Sequence, residues 1–574
     1  MMRLLFPVVL VLFILGLASP FTTSTTSVPV LKANPPSAYA GRTTIACSPA
    51  PAYVPYDFLS TPITLKTEGI GSFSFPVTVS GEKAQAFFNQ GMAFLYNFEY
   101  VQAARSFYTA FREDSSAAMI SWGLSQVYYS MEDTITSRSF SARAIALSAN
   151  ANAEEKMLIR LHALRVVPAH DSVASRLLRE QSQALSDSAN KLFPSSAEIW
   201  SLTGRMRAFR NTGPANEPAA LAFRHAIDDY LLKVLAINPT HFGTWHWLVH
   251  FTEGTSEFKK ALGYGELYTT AAPQIAHAWH MYAHDLMKTG RITEAIEKFR
   301  HAFEIEKQKY LTENMPKQYD WHHAHNMELL AYCYQYKGRF IEAEKIFSIL
   351  DTLTPSMDSR EAQVRKGHPY YYLQVNQPLK ARQLAGPLIA GRHYMSRFTG
   401  YFIRGLSEVF TADTVAASVS YLKMVQLVDS LKHASILQGT PPDVAEDDFS
   451  YMYARAGIVQ MAMQLIRNPA SPEVAGKMNS IQKTLLRQTG PDPWIDALYF
   501  LQLLTQLSIN SGNLSLAESS VSNMLQHDPG YPGAFLLMSR IKKAQGLKAE
   551  SRSWMAKAKE GYKEADPVFL RTLN

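Results

Sequence analysis

Hydrophobic positions divide this 574-residue chain into three regimes. From Leu4 to Leu17 they run together, broken by Pro7, between Arg3 and the small residues Ala18 and Ser19. From 19 to about 66 they thin out among Ser, Thr and Pro, as in Thr22-Thr23-Ser24-Thr25-Thr26-Ser27, which predicts an exposed spacer. The stretch Phe73-Ser74-Phe75-Pro76-Val77-Thr78-Val79 alternates enough to predict a short strand or an extended lead-in. From about Lys83 onward apolar residues recur at i, i+3, i+4 and i+7, the period of amphipathic helices.

Within the helical region the pattern repeats. A unit of 34 residues with large, small and aromatic residues at fixed positions is the tetratricopeptide helix pair. In window 84–117, Phe87, Gly91, Phe94, Ala103, Phe107 and Ala110 occupy positions 4, 8, 11, 20, 24 and 27. Window 276–309 places Trp279, Ala283, Ala295, Phe299 and Ala302 at 4, 8, 20, 24 and 27, with Gly290 turning between the helices. Window 324–357 gives Ala331, Tyr334, Gly338, Ala343, Phe347 and Pro355, and window 242–275 gives Trp245, Ala261 and Pro273. Gly512, Ala517 and Pro529 mark a further unit. One such pair cannot bury its apolar face alone, so neighbours stack. The predicted fold is all-α, a right-handed superhelix (α-solenoid) of about eight to ten helical pairs. The divisions are 1–18 signal peptide or N-terminal anchor, 19–82 linker, 83–357 N-terminal array and 358–574 C-terminal repeats.

Composition narrows the function. Hydrophobic residues make up 47% of the chain and charged residues 18%, enough for a large core. The net charge of +7 is spread without a Lys/Arg block, so it reads as solvated surface and no nucleic-acid contact is expected. The N-terminal apolar run is short for a spanning helix and has a secretory pattern, which predicts export to a periplasmic or extracellular space. No membrane contact is expected beyond a possible N-terminal anchor. Cys47 and Cys333 are too few for a disulfide framework, and they read as a loop thiol and a buried thiol.

The candidate chemistry is histidine. Ten of the 17 histidines lie between His241 and His325. In tetratricopeptide arrays, positions 2, 5, 9 and 12 of the first helix line the concave groove. His246, His250 and Glu253 fall at 5, 9 and 12 of one repeat; His277, His280, His284 and Met287 at 2, 5, 9 and 12 of the next. In the third, His325, Glu328 and Tyr332 fall at 2, 5 and 9. Adjacent helices pack 8–10 Å apart, so these imidazoles can converge on one ion. His246, His250, His280 and His284 form a potential four-nitrogen site, which His277, His325, Glu253 and Glu328 complete or double. Neutral imidazole suits zinc, copper and iron. The competing reading is a polar groove, with Glu328, Met287 and Tyr332 contacting a bound ligand.

The segments Phe87-Phe88-Asn89-Gln90-Gly91-Met92, Ala103-Ala104-Arg105-Ser106-Phe107 and Met119-Ile120-Ser121-Trp122-Gly123 resemble the opening of a group of exported bacterial tetratricopeptide proteins. The likeness returns at His241, Gly243, His246, His250 and Glu253, at His277, His280, Met281 and His284, and at His325-Asn326. It implies an exported repeat protein and carries over no catalytic residue. The chain departs from that group at Asn97-Phe98-Glu99, where a His is usual, and at Ser115-Ser116-Ala117, where a Cys is usual. Phe88 and Met92 replace the Lys and Asn of the chaperone-binding carboxylate clamp.

The expected function is an extracytoplasmic scaffold holding a protein or peptide partner, and a transition-metal ion, in its groove. The alternative is a metal-dependent enzyme of hydrolase or oxidoreductase type. His246 and His250 have zincin spacing but no Glu follows His246, so the protease base is missing. Glu253 and Asp285 are candidate acids beside a metal-bound water. No P-loop, dinucleotide fingerprint or Gly-x-Ser-x-Gly elbow occurs.

Overall fold

A computed structural model describes residues 54–573, apart from 67, 168–171, 209–217, 254–256, 354–364, 438–439, 441, 469–471 and 489. The signal segment, Cys47, most of the spacer, Pro355 and the 357–358 boundary lie outside the described residues. The helices are α1 Tyr56–Leu59, α2 Glu82–Tyr96, α3 Tyr100–Glu113, α4 Ala118–Ser130, α5 Thr134–Leu147, α6 Ala153–Val166, α7 Ser172–Leu192, α8 Ala197–Ala208 and α9 Pro218–Ile237. They continue as α10 Phe242–Glu253, α11 Phe258–Ala271, α12 Ala276–Lys288, α13 Ile292–Glu313, α14 Trp321–Tyr336, α15 Phe340–Thr352, α16 Gly367–Gln374 and α17 Pro378–Ala390. The array ends with α18 Tyr394–Phe410, α19 Thr414–Leu437, α20 Pro442–Arg467, α21 Pro472–Leu486, α22 Pro491–Asn510, α23 Leu514–His527, α24 Pro532–Ala544, α25 Lys548–Gly561 and α26 Pro567–Thr572.

From α2 to α25 these form twelve consecutive pairs, each packed on the next. The degenerate segments thus supply more units than the motif matches alone. Eight of the pairs share one turn among the described residues. Two residues past the first helix the backbone enters the left-handed region, at Phe98, Glu132, Gly290, Gly338, Asn376, Ala412, Gly512 and Gly546. The next amide then bonds back five residues, as Glu99 to Phe94 and Arg291 to Leu286 do. That closes a helix C-terminus by satisfying its last carbonyls. Glycine takes this conformation without strain, and four repeats use it.

Small residues set the helix spacing. Phe107 of α3 is fully buried between Gly91 of α2 and Gly123 of α4. A Cβ at Gly123 would stand 2.5 Å from its ring. Residues 73–79 pair with no strand among the described residues. The amides of Val77 and Thr78 instead bond to the side chains of Gln85 and Glu155. The described end of the linker is not an exposed spacer either. Val54, Leu59 and Ile63 are buried, and Arg105 of α3 holds the Pro62 carbonyl at 2.8 Å.

The core comprises two large clusters that meet in α12. Ala278 and Met281 belong to the N-terminal cluster; Ala283, Leu286 and Met287 belong to the C-terminal one. Both ends of the array return toward this middle. Lys66 pairs with Glu313 at 2.7 Å, and the Asp566 amide bonds the Gly338 carbonyl. Tyr499 of α22 donates to the Tyr332 carbonyl at 2.7 Å. The concave face is therefore filled with protein. No helix among the described residues is long and apolar enough to cross a membrane.

Replacing Gly123 with Ala forces Phe107 from its slot and is expected to cost roughly 1–3 kcal/mol in denaturant unfolding; an unchanged midpoint would contradict the packing. His162 is buried beside Trp122 and Tyr129, with Nε2 2.8 Å from the Ser125 hydroxyl. Burial, then the charges of Arg165 and Arg205, hold it well below the ordinary histidine range. Below about pH 6.5 the unfolded chain takes up a proton that the folded site refuses, so this contribution is present above that pH and lost as pH falls. His162→Gln should make the loss of stability between pH 7 and 5 shallower, by up to about 1.4 kcal/mol per pH unit. An identical slope would contradict a buried neutral ring.

Candidate metal centre

Three consecutive first helices, α10, α12 and α14, turn their polar faces to the interior. His246, His250, His277, His280, His284 and His325 all lie there, each at most 6% exposed. These side chains are buried: Phe98 packs on His246, His250 and His277, and Asp492 of α22 stands 3.8 Å from His325. The histidines do not gather as the set His246, His250, His280 and His284. They form two triads, His246–His250–His277 and His280–His284–His325.

In the first triad His246 is central. Its Nδ1 donates to the Tyr96 carbonyl at 2.5 Å, which fixes the lone pair on Nε2. That Nε2 lies 2.9 Å from Nε2 of His250 and 3.0 Å from Nε2 of His277. One lone pair accepts one hydrogen bond well, yet two imidazole nitrogens approach it. The Nδ1 atoms of His250 and His277 are buried without a hydrogen-bond partner. Burial holds His246 at about 3, and burial plus neighbouring imidazoles holds His250 and His277 well below the ordinary range. A proton is a poor occupant of this point. Ligands 2.0–2.1 Å from one ion stand about 2.9 Å apart at a right angle and about 3.4 Å apart at the tetrahedral angle, so the His246–His250 and His246–His277 separations match near-right-angle ligand pairs on one ion.

Tyr268 stacks on His246 at 4.9 Å, and its hydroxyl donates to Asn97 at 2.7 Å. Phe98 closes the cluster. Its ring lies 4.4 Å from His246, 5.4 Å from both His250 and His277, and 5.3 Å from Trp247. It is also the turn residue of the first pair, at φ 60°, where later repeats carry Gly. A bulky residue there is strained, by roughly 1–2 kcal/mol. The strain places an aromatic lid on three imidazoles.

In the second triad the rings are oriented from behind. His280 Nδ1 lies 3.0 Å from Asn326 Oδ1, and His284 Nδ1 lies 3.0 Å from Glu253 Oε1. The Asn326 bond fixes the His280 tautomer with its lone pair on Nε2, the arrangement metal-bound histidines use, and Glu253 holds the His284 ring by its Nδ1 in the same way. Glu253 therefore stands behind His284, outside the triad. Burial would raise its acid; the charge and hydrogen bond of His284, then Lys288, bring it below the usual range. Asp285 is fully buried with both carboxylate oxygens unpartnered. Burial and then Glu253 push it well above the usual carboxylate range.

Glu328 and Tyr332 face a third grouping, His325–Glu328–Asp492. Lys366 pairs there with Glu328 at 3.0 Å and Asp492 at 2.8 Å. Met287 is packed into the apolar core, away from a ligand role. Sequence reading missed three participants. Asp492 comes from α22, far along the chain. Phe98 gave no signal beyond its departure from the resembled group. His322 lies 5.0 Å from His277 and 4.4 Å from His280, ring to ring. Its Nδ1 is held by Glu306, and its buried Nε2 has no hydrogen-bond partner. It fell outside the repeat window because α14 begins three residues before that window; its i, i+3 spacing from His325 was the available clue.

No protein-family model matches the chain, and no curated protein matches it. Similar solved structures include a monomeric IFIT1 mutant with Gppp-AAAA, at 12% identity and TM-score 0.33 over 85% of this chain and 92% of that one. The human IFIT1 dimer with m7Gppp-AAAA shows 12% identity and TM-score 0.33, over 84% and 90%. The APC/C hetero-tetramer Cut9-Hcn1 shows 11% identity and TM-score 0.27, over 85% and 95%. Likenesses this distant say nothing about ligands. The class of protein, a tetratricopeptide-type helical-repeat array, is carried by its own helix pairs, turns and glycine spacing.

Phe98→Gly removes the lid while suiting the turn. The expected result is a folded protein in which diethyl pyrocarbonate modifies His246, His250 and His277 faster, read by peptide mass spectrometry. Unchanged rates in a folded variant would show that Phe98 does not shield them.

Proposed function

We propose that this is an exported tetratricopeptide-type protein that carries transition-metal ions, zinc or copper foremost, in its histidine-lined interior. The observation that carries the reading is the convergence of His250 and His277 Nε2 on the single lone pair of His246. The second triad, with Asn326 and Glu253 behind its rings, supports it. An interior this full favours an ion carrier, or a metal that locks the array, over an enzyme needing space for substrate. Export follows from the N-terminal apolar run and the resemblance to exported bacterial repeat proteins. A protein or peptide partner, in this reading, docks on outer faces of the array.

Purified full-length chain, exposed to zinc, copper and iron in turn and desalted, is expected to retain at least one equivalent of zinc or copper by elemental analysis. His246→Gln should remove the first-triad equivalent, and Glu253→Gln should weaken the second triad about 10–100-fold. Retention of no stoichiometric metal by the wild type would overturn the proposal.

A further inference from the structure

The third grouping differs in kind from the two triads. His325 and Glu328 come from α14, Asp492 and Asp496 from successive turns of α22, and Lys366 from the residue just before α16. Glu328 is fully buried, and Lys366 and Asp496 nearly so. Lys366 Nζ stands 3.0 Å from Glu328, 2.8 Å from Asp492 and 4.0 Å from Asp496. His325 Nε2 is 3.8 Å from the other Asp492 oxygen. Three carboxylates thus surround one ammonium.

The carboxylates are oriented for something at their centre. Glu328 accepts the Gly367 amide at 3.1 Å and the Tyr332 hydroxyl at 3.4 Å, which turns its second oxygen to Lys366. Asp496 keeps one buried oxygen, Oδ1, without a hydrogen-bond partner, while its other oxygen faces the ammonium. Against three carboxylates stand the Lys366 ammonium and the buried Arg455 guanidinium, which acts on Asp496, so one acidic group lacks a cation in a dry place, where an unpaired charge is costly. Asp492, whose side chain is 18% exposed, gives the group a route to solvent.

We propose that His325, Glu328 and Asp492 form a further cation site of mixed nitrogen and oxygen donors, where Lys366 stands in for the ion and which shares the His325 ring with the second triad. One imidazole with two carboxylates is a harder donor set than three imidazoles, and it suits manganese(II)-class ions better than either triad does. The donor atoms lie within 4.8 Å of one another, so small side-chain shifts bring them onto one ion while the ammonium swings out. Because α14 and α22 both supply ligands, the ion ties the C-terminal pairs to the middle of the array. This site stands independently of the first triad, since it shares no residue with it.

The test is a manganese(II) titration of the metal-free, full-length chain, followed by the loss of the free-ion electron paramagnetic resonance signal. Wild type should bind one equivalent. Asp492→Asn should weaken binding at least tenfold. Lys366→Met, which removes the competing ammonium, should tighten it at least tenfold, a gain that a misfolded variant does not mimic. His246→Gln should leave manganese binding unchanged even as it removes first-triad zinc. Absence of manganese binding by the wild type, or equal affinities in wild type, Asp492→Asn and Lys366→Met, would overturn the site. Either result leaves the zinc or copper reading of the first triad standing or falling on its own assay.

Discussion

An imidazole buried in protein has two ring nitrogens to satisfy, and the interior of this array turns on that constraint. Six histidines from α10, α12 and α14 are taken out of water together. Burial holds His246, His250, His277, His280 and His325 below the ordinary histidine range, and a neutral ring offers one donor and one acceptor. Where a carbonyl, amide or carboxylate takes the Nδ1 side, as Tyr96, Asn326 and Glu253 do, the remaining lone pairs are aimed inward. In the first triad two imidazole nitrogens meet one lone pair, and the proposed metal site rests on that mismatch.

The fold makes that concentration tolerable. α12 contributes to both core clusters through one face and carries three of the histidines on another. An open superhelix would leave those rings in solvent as ordinary polar groups. Here the Phe98 turn and the α22 helix pack against them, and in a buried interior the interactions are strong. The covering elements also bring chemistry: Phe98 as a lid, and Asp492 as an acid beside His325.

Much of this was legible in the sequence, for a physical reason. Repeat register fixes which side of each helix faces inward, so placing His246 at position 5 and His277 at position 2 already put both on the inner stripe. What register cannot give is how far the array curls. The pairing of triads, the burial of Glu328 and Tyr332, and the approach of Asp492 all depend on contacts between helices distant in the chain. The 34-residue window also hid His322, because α14 starts earlier than the repeat frame. The Ser/Thr/Pro composition before Lys83 suggested a loose spacer, but Val54, Leu59 and Ile63 are spaced to anchor on α2 and α3.

The most direct measurement of the central claim is X-ray absorption at the zinc or copper edge of the loaded protein. Occupation of the interior predicts a first shell dominated by nitrogen at about 2.0–2.1 Å, with the outer-shell scattering pattern of several imidazole rings. A first shell of water or carboxylate oxygen without imidazole scattering would place the metal on the surface, and would contradict the account.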